Sequence, residues 1–417
     1  MTVRPKFEPL EDRIVLDGVA EVTIAGPEEP IQLGDQDVEF TLTFDNTGTD
    51  TGYVPYAELI IPTSGGDGEG DGPTFDSASF IGSPIPTTVL TFDAAGEVEH
   101  PFLTNPDGSP FIVTGGLEGD TLVVFELPYG SFSPGNPAVD IDVVIDFSDQ
   151  ADLGSLPEFQ ALGGFALGCD PLDNPLVDPP IRGTADTLQV DPQLLEVTKS
   201  NNVPEEEGAT GPSYVYTYDL TIDVAPGQTI DNFTLTDNLP PEIVYLGNVN
   251  ITGGTGASVA SAPTVGDQVQ PGEQFIVDFS SVSGTVVVSF DYFISNDPSD
   301  TTNPTNSPVT GQPAPVENQV TGSGVWTPLD PDDATGTVSD SDTNIIEAVS
   351  LAIQKSNFLP AANDVNAPGA TPGDTFVFTL NIQVSDYFTF GDLVVQDVLA
   401  DGWDYVEGSA EFFTIEE

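Results

Sequence analysis

The sequence predicts an all-β protein made of tandem β-sandwich domains. Short runs rich in Val, Ile, Thr, Phe and Tyr alternate with polar residues, as at 38–44, 214–220 and 375–380. Turn-forming Gly (42 residues) and Pro (38 residues) separate these runs along the whole chain. Such alternation with frequent turn signals is typical of antiparallel sandwiches, and no segment carries a convincing helical period. Apolar residues make up 38% of the chain, enough for several separate cores.

An internal repeat divides the chain. Repeat starts occur at Glu21–Ile24, Glu196–Lys199 and Ala352–Lys355, and the first two copies match again at 158–163 and 317–322. An Asp/Pro-rich stretch follows each late match and is interpreted as the exit to the next domain. The third copy has too few residues for the late strands, so either the chain is a fragment of something longer or its last domain is incomplete. The predicted domains are a leader at 1–20, sandwiches at 21–188 and 189–349, and an incomplete third repeat at 350–417.

Composition excludes several classes of function. The net charge of −62 argues against nucleic acid and anionic membranes as partners, and it favours a saline, extracellular setting. A single cysteine, Cys169, rules out a disulfide framework, and a single histidine, His100, rules out a histidine metal cluster. No apolar run is long enough to cross a bilayer, and no ordinary signal peptide is evident.

Two of the six basic residues occupy the same place in the repeat. Lys199 alternates with Leu195 and Val197, and Lys355 alternates with Leu351 and Ile353. Since alternate side chains of a strand share a face, both lysines are predicted to point into a core. A charged ammonium there is costly and requires an explanation.

Other polar residues are predicted on core faces of the same repeats. Asn318 alternates with Val316 and Val320, and Asp237 alternates with Leu235 and Leu239. Asp397 is the third-repeat counterpart of Asp237. The first repeat serves as an internal control, because its matching positions are apolar. Ile24 stands at the lysine position, Phe159 at the asparagine position and, by a gapped match, Leu59 at the aspartate position.

The three polar residues of the second repeat suggest a self-formed cross-link. Burial favours a neutral amine on Lys199 and a protonated carboxyl on Asp237. The amine could then attack the Asn318 carboxamide, with loss of ammonia, and join the first and last strands of the domain. The alternative is structural: Lys199 forms an ordinary salt bridge with Asp237, Asn318 satisfies backbone groups, and Asp237 shapes the turn that follows it.

The second repeat resembles a known group of bacterial proteins. The resemblance runs from Lys199 through the strand near Tyr214 to Leu235–Pro241, and it extends more loosely to Val395–Asp401 in the third repeat. The group comprises bacterial surface repeats long called a domain of unknown function and the isopeptide-forming domains of fimbrial proteins. It implies immunoglobulin-like or prealbumin-like β-sandwiches in tandem, in adhesins and stalks. It also implies that Lys199 and Asn318 are the linked residues, although the acid of that group is usually glutamate rather than an aspartate such as Asp237.

The leader carries a second resemblance. Residues 7–17, Phe-Glu-Pro-Leu-Glu-Asp-Arg-Ile-Val-Leu-Asp, are similar to the Leu-Glu-Pro-Arg-x-Leu-Leu segment that begins many giant surface proteins of Gram-negative bacteria. That group implies export, whereas the alternative is a leader without structure.

Acidic loops suggest calcium as the one cofactor to expect. Asp67, Glu69 and Asp71 alternate with glycine like the opening of a calcium loop, but Ala78 stands where the loop needs its bidentate glutamate. The Asp/Pro-rich stretches at 170–178 and 330–342 are further candidates.

The sequence therefore predicts a non-enzymatic, structural or adhesive segment of a large extracellular or cell-surface protein. Its expected partners are neighbouring repeats and an unidentified surface ligand. The alternative is a calcium-dependent carbohydrate-binding module or an accessory part of a secreted hydrolase.

Overall fold

The computed structural model describes residues 18–28, 30–65, 68–105, 107–154, 156–167, 180–295, 314–363 and 370–413. The predicted fold class is confirmed: the protein is all-β and built from β-sandwich domains. The chain forms two compact units. The first comprises Met1–Leu194, Ala225–Gln228 and Thr327–Thr335, and the second comprises the remaining residues to Glu417. Cys169 and most of the leader lie outside the described residues. In the part of the chain that the structure describes, no helix has the length and apolarity required to cross a membrane.

The first unit is a sandwich of two main sheets. Its strands are β1 (Ala20–Ala25), β2 (Val38–Asn46), β3 (Gly52–Tyr53), β4 (Pro55–Ile61), β5 (Thr74–Phe80), β6 (Ser83–Pro84), β7 (Thr87–Thr91), β8 (Glu97–Thr104), β9 (Pro110–Thr114), β10 (Thr121–Glu126), β11 (Ser131–Phe132), β12 (Val139–Asp146), β13 (Glu158–Phe165), β14 (Ile181–Arg182) and β15 (Asp186–Gln189). One sheet has the order β1-β2-β12-β5-β6, and the other has the order β14-β13-β4-β10-β7 with β15 also paired to β13. Small ribbons pair β3 with β11 and β8 with β9.

The second unit repeats this plan. Its strands are β16 (Leu195–Asn201), β17 (Glu207–Ala209), β18 (Tyr216–Val224), β19 (Ile230–Asn238), β20 (Ile243–Thr252), β21 (Ser258–Ser261), β22 (Phe275–Val282), β23 (Gly284–Ile294), β24 (Ala314–Trp326), β25 (Gly336–Val349), β26 (Leu351–Phe358) and β27 (Val377–Val384), with a 3-10 turn at Pro204–Glu206. One sheet has the order β16-β18-β23-β20, and the other has the order β17-β25-β24-β19-β22-β21. β26 and β27 form a separate ribbon.

Strict alternation of side chains builds both cores. β1 and β18 bury every second residue, so each contributes one apolar face to the space between its two sheets.

β25 shows where the sandwich of the second unit ends. It pairs with β24 along its whole length, so the Asp/Pro-rich stretch at 329–333 connects two paired strands of one sheet and is not the exit to the next domain.

Candidate functional site

Lys199, Asp237 and Asn318 meet in the core of the second unit. Lys199 lies on β16, at the edge of one sheet, whereas Asp237 and Asn318 lie on neighbouring strands of the other, β19 and β24. Asp237 is directly opposite Val320, so Asn318, two residues before Val320, shares its inward face. Exposure of the three residues is 4%, 0% and 0%. The sequence suggested that Asn318 lies on the last strand of the domain. Because β25 follows β24 in the same sheet, Asn318 lies instead on the penultimate strand.

The Lys199 amine donates a hydrogen bond to Oδ2 of Asp237. The Tyr218 ring lies beneath the amine, with Nζ 4.0 Å from its centroid. Burial lowers the pKa of Lys199, an effect that the attraction of Asp237 opposes but does not cancel. Burial also raises the pKa of Asp237, against the lowering influence of Lys199. The two shifts move the pair in the direction of a neutral amine beside a protonated carboxyl, because low polarity penalises both charged forms.

The Asn318 amide is the least satisfied group in this cluster. It lies close enough to Asp237 and Tyr218 to influence their pKa values. Even so, neither Oδ1 nor Nδ2 of Asn318 has a hydrogen-bond partner among the described residues. The same holds for Oδ1 of Asp237 and for the hydroxyls of Tyr218 and Tyr292, whose rings stack at 4.1 Å. Asn318 does lie within hydrogen-bonding reach of Asp237 and Tyr218, and Tyr218 within reach of Tyr292, but none of these contacts has good hydrogen-bond geometry. Five such atoms in one buried cluster are unusual, since a buried polar group left unpaired costs about 1–3 kcal/mol.

Side chains of β25 hold the free edge of β16. The backbone N–H of Val197 donates to Oδ2 of Asp340 at 2.6 Å, and that of Lys199 donates to Oδ2 of Asp342 at 2.7 Å. These carboxylates replace the neighbouring strand that an edge strand lacks. These two hydrogen bonds hold the backbone of β16 in place against β25, and they therefore position the Lys199 side chain.

The first unit has the same geometry with apolar side chains. Leu59 is directly opposite Ala161, two residues after Phe159, which reproduces the pairing of Asp237 with Val320. Ile24, Leu59 and Phe159 are all buried in one core cluster. Asp186 accepts the Ile24 N–H at 2.9 Å, as Asp342 accepts that of Lys199. The register therefore supports the alignment of the two repeats, including the gapped match at Leu59.

The third-repeat residues Lys355 and Asp397 are also brought together. Nζ of Lys355 donates to Oδ1 of Asp397 at 2.7 Å, but the two side chains are 38% and 28% exposed. This pair is therefore open to water, unlike its counterpart in the second unit.

The calcium prediction falls on residues that are only partly described. Asp67 lies outside the described residues, and Oδ1 of Asp71 lies where a β-carbon on Gly65 would be. Carboxylate oxygens of Glu69, Asp330 and Asp332 lie within 4.8 Å of one another. The loop at 67–71 and the stretch at 330–342, which the sequence suggested as separate calcium sites, therefore contribute to one acidic cluster. Exposed carboxylates commonly cluster without an ion, and calcium binding stays a prediction.

Sequence reasoning missed a second buried polar cluster, in the first unit. Oε2 of Glu58 accepts two hydrogen bonds from the Arg182 guanidinium, one from Nε at 3.2 Å and one from an Nη. Oε1 of Glu58 lies 3.3 Å from Nε2 of His100. Although burial acts to raise it, the pKa of Glu58 is lowered by His100 and Arg182. The one sequence feature that could have indicated this cluster is the rarity of its residue types, because His100 is the single histidine and Arg182 is one of six basic residues. The cluster ties β8 and β14 to β4.

Comparisons with known proteins give remote likenesses only. No protein-family model matches the chain, and no curated protein matches it. BcpA, the major pilin subunit of Bacillus cereus, is 13% identical over 66% of this chain and 73% of that chain, with a TM-score of 0.25. The MSCRAMM ACE of Enterococcus faecalis is 9% identical over 81% and 96%, with a TM-score of 0.23. AvmM, which catalyses a macrocyclization in alchivemycin A biosynthesis, is 17% identical over 42% and 88%, with a TM-score of 0.25. At these values the likenesses assign no function to this chain.

Proposed function

We propose that the second unit forms an intramolecular amide between Lys199 and Asn318, and that the chain is a structural or adhesive segment of an extracellular surface protein. The observation that carries this proposal is the burial of a lysine, an aspartate and an asparagine in one contact cluster. Nothing in the sandwich plan requires them, because the first unit fills the same positions with Ile24, Leu59 and Phe159.

The reaction uses groups already in place. The neutral Lys199 amine attacks the carboxamide carbon of Asn318 while the protonated Asp237 carboxyl donates a hydrogen bond to the amide oxygen. The C–N bond to the Asn318 side-chain nitrogen breaks, a proton from the attacking amine passes through the carboxyl to that nitrogen, and ammonia leaves. One amide replaces another, so no oxidant and no cofactor is needed. The orphaned atoms of Asn318 and Asp237 then belong to the reacting groups rather than to an idle polar cluster.

The cross-link would suit a protein under tension. It closes a loop of 119 residues between Lys199 and Asn318, and by analogy with a disulfide over such a loop it stabilises the fold by about 4–5 kcal/mol. An amide resists reduction, which matters in a chain whose single cysteine cannot form an internal disulfide. The dense negative charge is a surface property that dissolved cations screen, which favours a saline exterior.

The intact mass of the full chain tests this proposal. We expect the wild type to be lighter than its formula by one ammonia, and the Lys199→Ala and Asn318→Ala variants to have their calculated masses. Lys355→Ala is the matched control and should keep the deficit. Peptide mapping after cleavage at acidic residues should recover the segment around Lys199 joined to the segment around Asn318. A wild-type mass equal to the formula would make the cluster an ordinary polar one.

A further inference from the structure

Two tyrosine hydroxyls lie in the polar centre of the second unit without a hydrogen-bond partner among the described residues. They belong to Tyr218 on β18 and Tyr292 on β23, whose rings stack with centroids 4.1 Å apart. Both side chains are completely buried. Because a buried hydroxyl without a partner costs about 1–3 kcal/mol, a core that needs only aromatic packing is more stable with phenylalanine.

The first unit shows that this plan does not need the two hydroxyls. In the pairing of β1 with β2 and of β16 with β18, Phe40 has the place of Tyr218. In the pairing of β2 with β12 and of β18 with β23, Ile145 has the place of Tyr292. Both first-unit residues are buried. The unit that lacks the buried lysine, aspartate and asparagine therefore lacks the hydroxyls as well.

Tyr218 lies beside both groups that would react. Nζ of Lys199 is 4.0 Å from the centroid of its ring. Its hydroxyl is within hydrogen-bonding reach of the Asn318 carboxamide and of the Tyr292 hydroxyl. Burial raises the pKa of both tyrosines. Both hydroxyls therefore keep their protons and can act as hydrogen-bond donors.

Amide formation makes two demands on the Asn318 carboxamide. Its oxygen gains negative charge when the Lys199 amine adds to the carbon, and its nitrogen must take up a proton before it leaves as ammonia. The single carboxyl proton of Asp237 cannot serve both atoms at once. A second donor at the oxygen stabilises the intermediate while Asp237 moves a proton to the nitrogen.

We propose that Tyr218 is a further catalytic residue of the reaction between Lys199 and Asn318, and that its hydroxyl donates a hydrogen bond to the carboxamide oxygen as that oxygen gains charge. Tyr292 is a positioning residue, whose hydroxyl donates to the oxygen of Tyr218. The inference rests on the proposed function and adds two residues to it. The bond from Nζ of Lys199 to the carboxamide carbon forms, the bond from that carbon to Nδ2 breaks, and one amine proton reaches Nδ2 through Asp237. Ammonia leaves, and both tyrosines keep their protons throughout.

The rate of ammonia loss from newly made protein tests the proposal. The full chain is made by cell-free translation with a short pulse of isotope-labelled amino acids, samples are denatured in acid at intervals, and the intact mass of the labelled protein is measured. Tyr218→Phe keeps the ring and copies Phe40. We expect it to lose ammonia about a hundredfold more slowly than the wild type, as is usual when one donor to a developing oxyanion is removed. Tyr292→Phe should slow the loss by about two- to tenfold.

Tyr216→Phe is the matched control. Tyr216 lies two residues before Tyr218 on the same buried face of β18, and its hydroxyl already donates to the Ala209 carbonyl at 3.0 Å. Removal of this hydroxyl should leave the rate of ammonia loss unchanged.

Fluorinated tyrosines at position 218 separate catalysis from packing. Nonsense suppression places tyrosines with one or two ring fluorines there, which keep the hydroxyl and make it a more acidic donor. We expect the rate to rise with the acidity of the phenol, because a stronger donor stabilises the charged oxygen better. A residue that acts through packing alone gives no such trend, and this series does not depend on the folding of Tyr218→Phe.

The outcomes keep this inference apart from the proposed function. If the wild type loses ammonia and Tyr218→Phe does so at the same rate, the role of Tyr218 is overturned and the cross-link stands. The same conclusion follows if the rate does not respond to the acidity of the hydroxyl at 218, or if Tyr216→Phe slows the loss as much as Tyr218→Phe. If the wild type loses no ammonia, the proposed function is overturned and the role of Tyr218 with it.

Discussion

The first and second units have the same sandwich plan, but three equivalent core positions are apolar in one and polar in the other. At three equivalent positions the first unit has Ile24, Leu59 and Phe159, all buried together. The second unit has Lys199, Asp237 and Asn318, and they are equally buried. Their backbone settings are alike, down to the carboxylate that accepts the edge-strand N–H in each.

The first unit shows that a sandwich of this plan can have apolar residues at all three positions. Apolar residues fill this centre without unpaired groups, whereas a buried ion pair often stabilises a protein less than hydrophobic residues of similar volume. The polar cluster of the second unit therefore has a cost that its first-unit counterpart avoids. A covalent bond between Lys199 and Asn318 would offset that cost.

The largest expected difference between the units is mechanical. Pulled from its ends, the first unit should extend completely, because nothing in its centre joins one strand to another covalently. In the second unit the amide would carry the force past the chain between Lys199 and Asn318, which are 119 positions apart. At about 3.5 Å per residue, roughly 400 Å of extension should be absent. Single-molecule force spectroscopy on the full chain measures this directly.

The control for the mechanical prediction is Lys199→Ala, in which the missing extension should reappear. The first unit provides the length standard within the same molecule. Full extension of the second unit in the wild type would contradict the proposed cross-link, even if the mass deficit were present elsewhere.

Two variants at Asp237 compare the stability of a partly polar core with that of a fully apolar one at the three equivalent positions. Asp237→Leu alone leaves the neutral Lys199 amine buried without its hydrogen-bond partner, at a cost of about 1–3 kcal/mol beyond the loss of the cross-link. The triple variant Lys199→Ile, Asp237→Leu, Asn318→Phe copies the first unit and loses only the cross-link. We expect the triple variant to be the more stable of the two by about 1–3 kcal/mol.

Urea denaturation followed by tryptophan emission measures this difference. Trp326 lies on β24, whereas Trp403 packs on Phe378 in the ribbon of β26 and β27. Both variants therefore also carry Trp403→Phe, so that the remaining emission reports on the sandwich. Equal stability of the single and triple variants would show that the buried amine is tolerated without its carboxyl.

The period of two residues made the centre of the second unit predictable. Alternation alone places Lys199 with Leu195 and Val197 on an inward face, and the repeat marks it as a recurring position. The same reasoning could not place Asn318 on the penultimate strand. Which strands are neighbours depends on pairings distant in the chain, such as that of β24 with β25, and local patterns do not record them.

Long-range polar contacts were beyond prediction for the same reason. Glu58, His100 and Arg182 come from three strands far apart in sequence, and none belongs to a motif. Glu69 was noticed in its own loop, yet its acidic neighbours in the structure are Asp330 and Asp332. Sequence reasoning identified Glu69 in its loop and Asp330 in its stretch but did not bring them together, and it missed the cluster of Glu58 altogether.

The smallest expected effect concerns a feature that the two units share. Asp186 and Asp342 each accept a backbone N–H from the edge strand of their own unit, from Ile24 and Lys199 respectively. Replacing either aspartate by alanine removes a hydrogen bond to a charged acceptor, worth about 1.5–3 kcal/mol, from a strand edge that has no neighbouring strand in its sheet. We expect faster amide hydrogen exchange in β1 for Asp186→Ala and in β16 for Asp342→Ala.

Asparagine at the same positions keeps an acceptor oxygen and should restore most of the protection. Because the cross-link would hold β16 in place, the change should be smaller for Asp342→Ala than for Asp186→Ala. The two changes should become similar once Lys199→Ala removes the cross-link. An equal response of the two edges in the cross-linked protein would show that the amide does not restrain β16. Hydrogen exchange read by mass spectrometry would then place the effect of the polar centre elsewhere in the second unit.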